Sequence, residues 1–349
     1  MASTLLDHFT LLLIFLLVII TKVQSDNKVF NVINFGVVAD GKTDNSKAFV
    51  DVWNQACAYS GRGVVLIPEG TYYASSMVFN GPCKGQTLFS IKGILKAPID
   101  KKDWVGLESW ISFRYIVNLE ISGGGSFDGQ GSYAWPYNDC QTNPPPPTSP
   151  NTDGIHIGSS TGIKIFSSSI ATGDDCVSIG PGTDNLLVSG LACGPGHGIS
   201  IGSLGRYPNE ADVTNLVIQN CNISGTSNGV RIKTWAPSPP SNVYNVTFEN
   251  IGMNNVDNPI IIDQQYCPFE TRKCGNGASS QVQIRNVKFN NIYGTSKNKV
   301  AVELKCSPSK PCGELSLTNI NLNFPGGATS SCSNAYGTAT GRQQPPACI

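Results

Sequence analysis

Apolar and polar residues alternate in four short segments that can be laid over one another residue by residue. The segments are residues 154–158, 176–180, 198–202 and 229–233, which read GIHIG, CVSIG, GISIG and GVRIK. A period of two is typical of a strand with one buried face. The first three segments begin 22 residues apart, a step that indicates one coil of a parallel solenoid. Equivalent residues should then stack at roughly 4.8 Å.

This stacking predicts two apolar ladders and two outward-facing columns. The ladders are Ile155, Val177, Ile199, Val230 and Ile157, Ile179, Ile201, Ile232. The outward columns are His156, Ser178, Ser200, Arg231 and Gly158, Gly180, Gly202, Lys233. The three stacked glycines predict a floor without side chains, on which a flat ring could lie with Lys233 at its edge.

A polar residue precedes each segment, and these residues should form a column beside the floor. They are Asp153, Asp175, His197 and Asn228, and Asp174 adds a further carboxyl group. Neighbouring carboxyl groups push one another's pKa values apart, which suits hydrolysis of a glycosidic bond by one acid and one base. Taken alone, the Asp174-Asp175 pair would more simply cap a bend, so the interpretation depends on its surroundings.

The N-terminal region is predicted to contain one amphipathic helix, which Thr43 and Asp44 can cap. Its apolar positions are Ala48, Phe49, Val52, Trp53 and Ala56. Such a helix would cover the apolar end of the first coil. Strands are predicted at 63–67, 72–79, 87–95, 110–113 and 119–122. Later coils begin near Gly162, Asn185, Asn215, Asn245 and Asn286, where the Asn side chains are expected to satisfy backbone groups at bends.

The composition favours a turn-rich all-β protein, with 37 Gly, 22 Pro and only 14% charged residues in 349. The 24 basic and 24 acidic residues form no basic tract, so no nucleic-acid or membrane partner is expected. An anionic ligand would need a local basic site, which Arg231 and Lys233 supply.

The N-terminus and the cysteines both indicate secretion. Residues 11–20 are apolar but too few to span a bilayer, and a small-residue cleavage site follows at 23–25. We therefore expect a signal peptide at 1–25, although its first ten residues contain no Lys or Arg, and a single domain at 26–349. The 12 cysteines include no C-x-x-C pair, which favours disulfides over a metal site.

Two disulfides are expected from spacing, namely Cys306 with Cys312 and Cys332 with Cys348. Cys176 and Cys193 lie near the predicted site, whereas Cys221 could equally be a buried free thiol. Asn222 and Asn245 begin N-x-[ST] sequons, and both are expected within coils, where they would be inaccessible.

Four motifs stand in a fixed order: Asn151-Thr152-Asp153, Gly173-Asp174-Asp175, Gly196-His197-Gly198 and Arg231-Ile232-Lys233. Their order and spacing resemble the polygalacturonases of glycoside hydrolase family 28. The stretches 194–204 and 258–267 look most like the plant exopolygalacturonases of pollen. The resemblance implies a right-handed parallel β-helix of the pectin-lyase type with a short N-terminal capping helix, and a secreted, monomeric, exo-acting hydrolase of cell-wall pectin.

The resemblance also implies a role for each site residue. Asp174 would be the general acid, and Asp153 with Asp175 would hold and deprotonate the attacking water, with inversion at the anomeric carbon. His197 would tune the acid or bind a sugar hydroxyl. Arg231 and Lys233 would pair with the galacturonate carboxylate, and Tyr266 matches the family's site tyrosine. No cofactor or metal is implied, and His156 on the same face is a further candidate for substrate contact.

One departure from the family lies between residues 132 and 150, where about two coils are absent by the 22-residue step. The cleft would lose part of a wall, and Cys140 could lose its partner. Two alternatives therefore stay open. One is an inactive family member that only binds pectin. The other is a Ca²⁺-dependent enzyme of the pectate-lyase kind with Asp153, Asp174 and Asp175 as ligands, against which the motif order argues.

Overall fold

The computed structural model describes residues 26–100, 109–130, 152–267 and 278–349. The expected signal peptide at 1–25 and the shortened segment at 132–150 lie outside these ranges, as do Cys140 and Asn151.

The described part of the chain is built mostly of strands, with one α-helix, α1 (Ser46–Cys57), and a 3-10 turn at Val32–Phe35. The strands of its first half are β1 (Asn27–Asn31), β2 (Asp40–Asp44), β3 (Arg62–Ile67), β4 (Thr71–Tyr73), β5 (Met77–Asn80), β6 (Thr87–Ile91), β7 (Ile94–Lys96), β8 (Ile111–Arg114), β9 (Leu119–Ser122), β10 (Ser126–Asp128), β11 (Ile155–Gly158), β12 (Thr161–Phe166) and β13 (Ser169–Ala171). Those of the second half are β14 (Val177–Ile179), β15 (Asp184–Ser189), β16 (Ala192–Cys193), β17 (Ile199–Leu204), β18 (Val213–Gln219), β19 (Asn222–Ser224), β20 (Asn228–Trp235), β21 (Ser241–Val256), β22 (Asn258–Tyr266), β23 (Val282–Ser296), β24 (Val300–Lys305), β25 (Cys312–Asn323), β26 (Thr329–Ser333) and β27 (Ala335–Gln344).

These strands form two sheets in which each strand pairs in parallel with its equivalent in the next coil. The smaller sheet has nine strands in the order β5-β8-β11-β14-β17-β20-β22-β24-β26. The remaining 18 strands form the other sheet, whose two halves merge because the long strands β21, β23 and β25 run through both. This arrangement confirms the predicted right-handed parallel β-helix.

The predicted apolar ladder is confirmed at every step. Ile155 pairs with Val177, Val177 with Ile199, and Ile199 with Val230. All four side chains are fully buried, as is the second ladder from Ile157 to Ile232. Burying an Ile or Val side chain stabilises a fold by about 1.5–3 kcal/mol, so these ladders fix the register of the four coils.

The predicted coil corners are also confirmed, and each has a left-handed backbone. The φ values are 70° at Gly162, 55° at Asn185, 57° at Asn215, 59° at Asn245 and 53° at Asn286. Asn tolerates this conformation better than most residues. The expected bonds to backbone groups are not what these side chains make: they bond to side chains of the neighbouring coil, with Asn215 Nδ2 donating to Asp184 Oδ1 and Asn245 Nδ2 to Asn215 Oδ1, both at 2.7 Å.

Helix α1 closes the apolar interior at the N-terminal end, as predicted. The ring centroid of Trp53 lies 5.3 Å from that of Phe79 and 5.7 Å from that of Phe113. The capping prediction was one residue off, because the N-cap is Asn45, which makes no side-chain cap bond. The Asp44 carboxylate nevertheless stabilises the start of the helix, because it accepts a hydrogen bond from the Ser46 amide at 3.0 Å.

Two of the predicted strands are each divided by a corner. The stretch 72–79 is split between β4 in the large sheet and β5 in the small one, and 87–95 is split into β6 and β7. The apolar alternation continues around these corners, so its period does not reveal them.

The solenoid is continuous across the shortened segment. Strand β8 pairs directly with β11, with Phe113 opposite Ile157, and β10 pairs with β13, with Phe127 opposite Ile170. The coil before the segment therefore stacks in register on the coil that contains β11, and the apolar ladder is unbroken.

Four disulfides join described cysteines: Cys57–Cys83, Cys176–Cys193, Cys306–Cys312 and Cys332–Cys348. The last two confirm the pairs expected from spacing. Cys221 is a buried free thiol. The described part of the chain contains no helix that is both long enough and apolar enough to cross a membrane.

Candidate active site

The predicted polar column lies at the start of neighbouring strands in the nine-stranded sheet. Asp153 comes before β11, Asp175 before β14 and His197 before β17, and the parallel register brings these positions together. Ligand atoms of Asp174, Asp175 and His197 all lie within 4.8 Å of one another. The structure thus brings together three carboxyl groups and one imidazole that are up to 44 residues apart in sequence.

Glycines on both sides of His197 allow its close approach to the carboxyl groups. Gly196 has φ of 151° and Gly198 has φ of 90°. A Cβ on Gly196 would lie 2.7 Å from the Asp174 carbonyl oxygen, and one on Gly198 would lie 2.1 Å from that of Asn228. Both contacts are shorter than packing permits, so the Gly196-His197-Gly198 sequence is a steric requirement of this bend.

Asp174 and His197 form an ion pair at the solvent-facing side of the cluster. Nδ1 of His197 donates to Oδ1 of Asp174 at 2.8 Å, and the two side chains are 38% and 21% exposed. Burial opposes the charged form of each group, but their mutual attraction outweighs it. The imidazolium therefore lowers the pKa of Asp174 below its usual value, and the carboxylate raises the pKa of His197.

Asp175 lies deeper and has donors on both oxygens. Oδ1 accepts from Ser200 Oγ at 2.7 Å and from Arg231 Nη2 at 2.9 Å, while Oδ2 accepts from Lys233 Nζ at 3.1 Å. Its side chain is only 2% exposed. In spite of burial, the Asp175 charge raises the pKa values of Arg231 and Lys233, so both remain cations.

Asp153 is the carboxyl group that the site favours in its neutral form. It is 7% exposed. Burial, followed by the negative charges of Asp174 and Asp175, raises the pKa of Asp153 well above its usual value. The cluster therefore contains one carboxyl with a raised pKa and one with a lowered pKa.

The predicted glycine floor is present, but it is partly covered by a side chain. The imidazole of His156 lies within 3.1–3.2 Å of the position that a Cβ on Gly180 would take. Its Nδ1 is 2.7 Å from Ser178 Oγ, a contact that holds the ring over Gly180. A ligand lying along the column of Gly158, Gly180 and Gly202, hereafter the groove, would meet His156 above Gly180. The strand pattern fixes the backbone positions but not the rotamer of this side chain.

Tyr266 lies beside Lys233. Lys233 Nζ is 5.3 Å from its ring centroid, and Trp235 packs against the ring at the same centroid distance. The site therefore combines two buried cations with an aromatic surface. The sequence pattern predicted Ser200 on the outward face without a role. Its position between Ser178 and Arg231 in the column could have identified it as a hydrogen-bond donor to Asp175.

The cluster of Asp174, Asp175 and His197 has donor types that could bind a metal ion. In this arrangement both oxygens of Asp175 already accept bonds from cationic side chains, and His197 Nδ1 is bonded to Asp174. A divalent cation would have to displace these groups. The geometry therefore favours proton transfer and anion binding over metal binding.

Comparison of the whole chain with known proteins gives agreeing results. The sequence profile of Glycosyl hydrolases family 28 matches residues 57–149 and 142–341. An exopolygalacturonase of Platanus acerifolia is 42% identical over 93% of this chain and 98% of its own length. A polygalacturonase of Prunus persica is 41% identical over 98% of both chains.

Solved structures share the fold. The endo-xylogalacturonan hydrolase of Aspergillus tubingensis superposes with a TM-score of 0.56 at 23% identity, covering 91% of this chain and all of that one. Endopolygalacturonase I of Stereum purpureum superposes with a TM-score of 0.52 at 16% identity, covering 83% of this chain and 98% of the other.

Proposed function

Because the chain belongs to Glycosyl hydrolases family 28, we propose that it is a secreted polygalacturonase that hydrolyses α-1,4-galacturonosyl bonds of cell-wall pectin from the chain end. Relatives named exopolygalacturonase and polygalacturonase, about 41–42% identical over nearly their whole lengths, support this activity and the exo mode. The observation that carries the proposal is the carboxyl cluster beside two buried cations, since it combines acid and base groups with a site for an acidic sugar.

The Asp174–His197 pair is the proposed source of the proton for the leaving oxygen. In the free site this proton resides on His197, because Asp174 has the lowered pKa. Arg231 and Lys233 contribute to that lowering. A galacturonate carboxylate bound to these cations would oppose their effect, raise the pKa of Asp174 and move the shared proton onto it.

Asp153 is the proposed base. A carboxylate whose pKa is raised is a stronger proton acceptor once it is ionised. It takes a proton from a water molecule whose oxygen attacks the anomeric carbon, while the bond to the leaving oxygen breaks and Asp174 protonates that oxygen. Attack from the opposite face gives inversion. Asp175, with three donors on its oxygens, keeps Arg231 and Lys233 in place and supports the water position.

Selection of an acidic sugar depends on Arg231 and Lys233. Charge-assisted bonds to a carboxylate are about twice as strong as neutral ones, and both cations lie at the groove with 12% and 10% of their side chains exposed. The Tyr266 ring beside Lys233 offers an aromatic surface for the apolar face of the sugar.

The shortened segment at 132–150 is proposed to lack about two coils of the family β-helix, leaving one domain at 26–349. Two observations support this. The family profile matches in two pieces that overlap at 142–149. The alignment with the Platanus relative also extends over 375 positions while covering 93% of a chain of 349 residues. The unbroken pairing of β8 with β11 supports a groove that still functions.

Product analysis tests this function against both alternatives. The secreted chain is incubated with polygalacturonic acid, with and without EDTA, and products are identified by mass spectrometry. We expect saturated galacturonate monomer from the earliest times, with no effect of EDTA. Unsaturated products lost on chelation would establish the Ca²⁺-dependent lyase, and binding without product would establish a pectin-binding protein. Early release of long oligomers would overturn the exo mode.

A further inference from the structure

The two N-x-[ST] sequons lie in very different surroundings, although both are part of coils. One is Asn222-Ile223-Ser224, which makes up strand β19. The other is Asn245-Val246-Thr247, near the start of strand β21. Both belong to the 18-stranded sheet and not to the nine-stranded sheet that carries the acidic cluster.

The expectation that both sequons are inaccessible is wrong for Asn222, which has an open environment on the outside of the solenoid. Asn222 and Ser224 are exposed while Ile223 between them is fully buried. The register places small residues on both sides of Asn222, Ala192 in the preceding coil and Gly252 in the following one. Within the described residues, the side-chain amide of Asn222 makes no hydrogen bond.

Asn245, by contrast, is fixed between its neighbours. Its Nδ2 donates to Asn215 Oδ1 at 2.7 Å, and its Oδ1 accepts from Asn286 Nδ2 at 3.5 Å. Its backbone has a left-handed φ of 59°, and the residue is only partly exposed. A sugar on Nδ2 would remove one of its two hydrogens and introduce a bulky group between side chains spaced by about 4.8 Å.

We propose that Asn222 carries an N-linked glycan in the secreted protein and that Asn245 stays unmodified. The donor class is a polyprenyl-diphosphate-linked oligosaccharide that begins with N-acetylglucosamine. In the transfer, the bond from its anomeric carbon to the diphosphate oxygen breaks and a bond to Asn222 Nδ2 forms. Nδ2 loses one proton and the polyprenyl diphosphate leaves, with no change of oxidation state.

Passage through the secretory pathway is the condition for this transfer, and four disulfides between described cysteines support it. Asn222 lies on the 18-stranded sheet, so the glycan does not obstruct the groove on the other sheet. The proposed glycan and the proposed hydrolytic activity can therefore be tested independently, and either can be wrong without the other.

An aromatic ring flanks the proposed position of the first sugar. Gly252 lies one coil beyond Asn222 and is paired with Tyr293 in the coil after that. The Tyr293 side chain is 44% exposed. Its ring leans over Gly252, since its Cε2 and Oη lie 3.6 Å from the position of a Cβ there, and Asn222 Oδ1 lies 2.8 Å from the same point. Asn222 and Tyr293 thus converge over one glycine, and the first N-acetylglucosamine would pack beside this ring.

Glycopeptide mapping of the chain secreted from a eukaryotic host tests the site directly. We expect a hexosamine-bearing peptide that contains Asn222 and an unmodified peptide that contains Asn245. Two matched variants keep both asparagines in place. Ser224→Ala should remove the glycan mass, whereas Thr247→Val should leave it unchanged, and both should hydrolyse polygalacturonate like wild type. A glycan at Asn245, or none at Asn222, overturns the proposal.

The contact with Tyr293 has its own test. The Tm difference between the glycosylated chain and Ser224→Ala is measured with Tyr293 present and in a Tyr293→Ala background. We expect the glycan to raise Tm more when the ring is present. An equal rise in both backgrounds overturns the contact.

Discussion

Asp174 and His197 are joined by two hydrogen bonds, one between side chains and one between backbones. His197 Nδ1 donates to Asp174 Oδ1 at 2.8 Å, and the His197 amide donates to the Asp174 carbonyl oxygen at 2.7 Å. The backbone bond fixes the spacing between the two neighbouring coils, and the side-chain bond aligns the imidazole with the carboxylate. The proton that the proposed acid needs is therefore held in a fixed geometry.

The first prediction is that this pair stabilises the fold mainly between pH 3.8 and 6.5, the ordinary pKa values of the two groups. Asp174 has a lowered pKa, so its contribution is present above 3.8 and is lost as pH falls through the folded value. His197 has a raised pKa, so its contribution is present below 6.5 and is lost as pH rises through the folded value.

The measurement is the Tm of wild type and of His197→Gln across pH. The decrease in Tm caused by the substitution should be largest in that window. It should correspond to a stability loss on the order of 1 kcal/mol, because solvent screens the partly exposed pair. A difference that does not vary with pH would show that the pair is not charged.

The second prediction concerns Asp153, whose pKa is raised in the folded protein. Its contribution to stability is present below the ordinary value of 3.8 and is lost as pH rises through the folded value. Asn resembles the neutral form, so Asp153→Asn should gain Tm relative to wild type as pH increases from 4 to neutrality. If instead the Tm of wild type rises relative to that of the variant over this range, Asp153 is stabilised as a carboxylate and the assignment of its charge is wrong.

The third prediction is that Asp175→Asn destabilises the protein strongly. Removing this carboxylate leaves Arg231 and Lys233 without their anionic partner in a nearly buried site, which costs about 3–5 kcal/mol. Urea unfolding measures the loss. Glu314→Gln is the matched control, since it breaks the exposed pair with Arg285 and should change stability by about 1 kcal/mol or less. Equal effects at the two sites would contradict the account.

The fourth prediction is that Arg231 and Lys233 determine selection of the galacturonate carboxylate. Losing one hydrogen bond to a charged group, about 1.5–3 kcal/mol, should lower kcat/KM for unesterified polygalacturonate by about 10–100-fold in Arg231→Gln or Lys233→Gln. Preference over methyl-esterified pectin should fall in parallel. Lys47→Gln, at a side chain 91% exposed on helix α1, should match wild type. An undiminished preference for unesterified substrate in both site variants would assign selectivity elsewhere.

Repetition in the sequence explains why much of the fold could be predicted. The 22-residue step and the alternation of Ile and Val fix the register, because a slip by one residue would expose a whole ladder. The same repetition identified Asn185, Asn215 and Asn245 as corner residues, each of which has the left-handed φ that Asn tolerates. The corners within 72–79 and 87–95 were missed because apolar alternation does not stop there.

The contacts within the site could be predicted only in part. The column predicted that Asp153, Asp175 and His197 would be neighbours, but side-chain rotamers decide which atoms meet. The bond from Lys233 to Asp175 links residues 58 positions apart, and the His156 ring over Gly180 depends on its bond to Ser178. Opposite pKa shifts at Asp153 and Asp174 follow from burial and from His197, which a sequence does not give.

The measurement that most directly tests the central claim is release of reducing ends from polygalacturonic acid by the secreted chain and by Asp174→Asn. Circular dichroism and binding to polygalacturonate verify that both proteins are folded and competent. The account predicts hydrolysis by wild type and a decrease of about 10²–10⁴-fold in the variant, the usual contribution of a general acid. Equal rates in the two proteins, or no release from a folded and binding wild type, would contradict it.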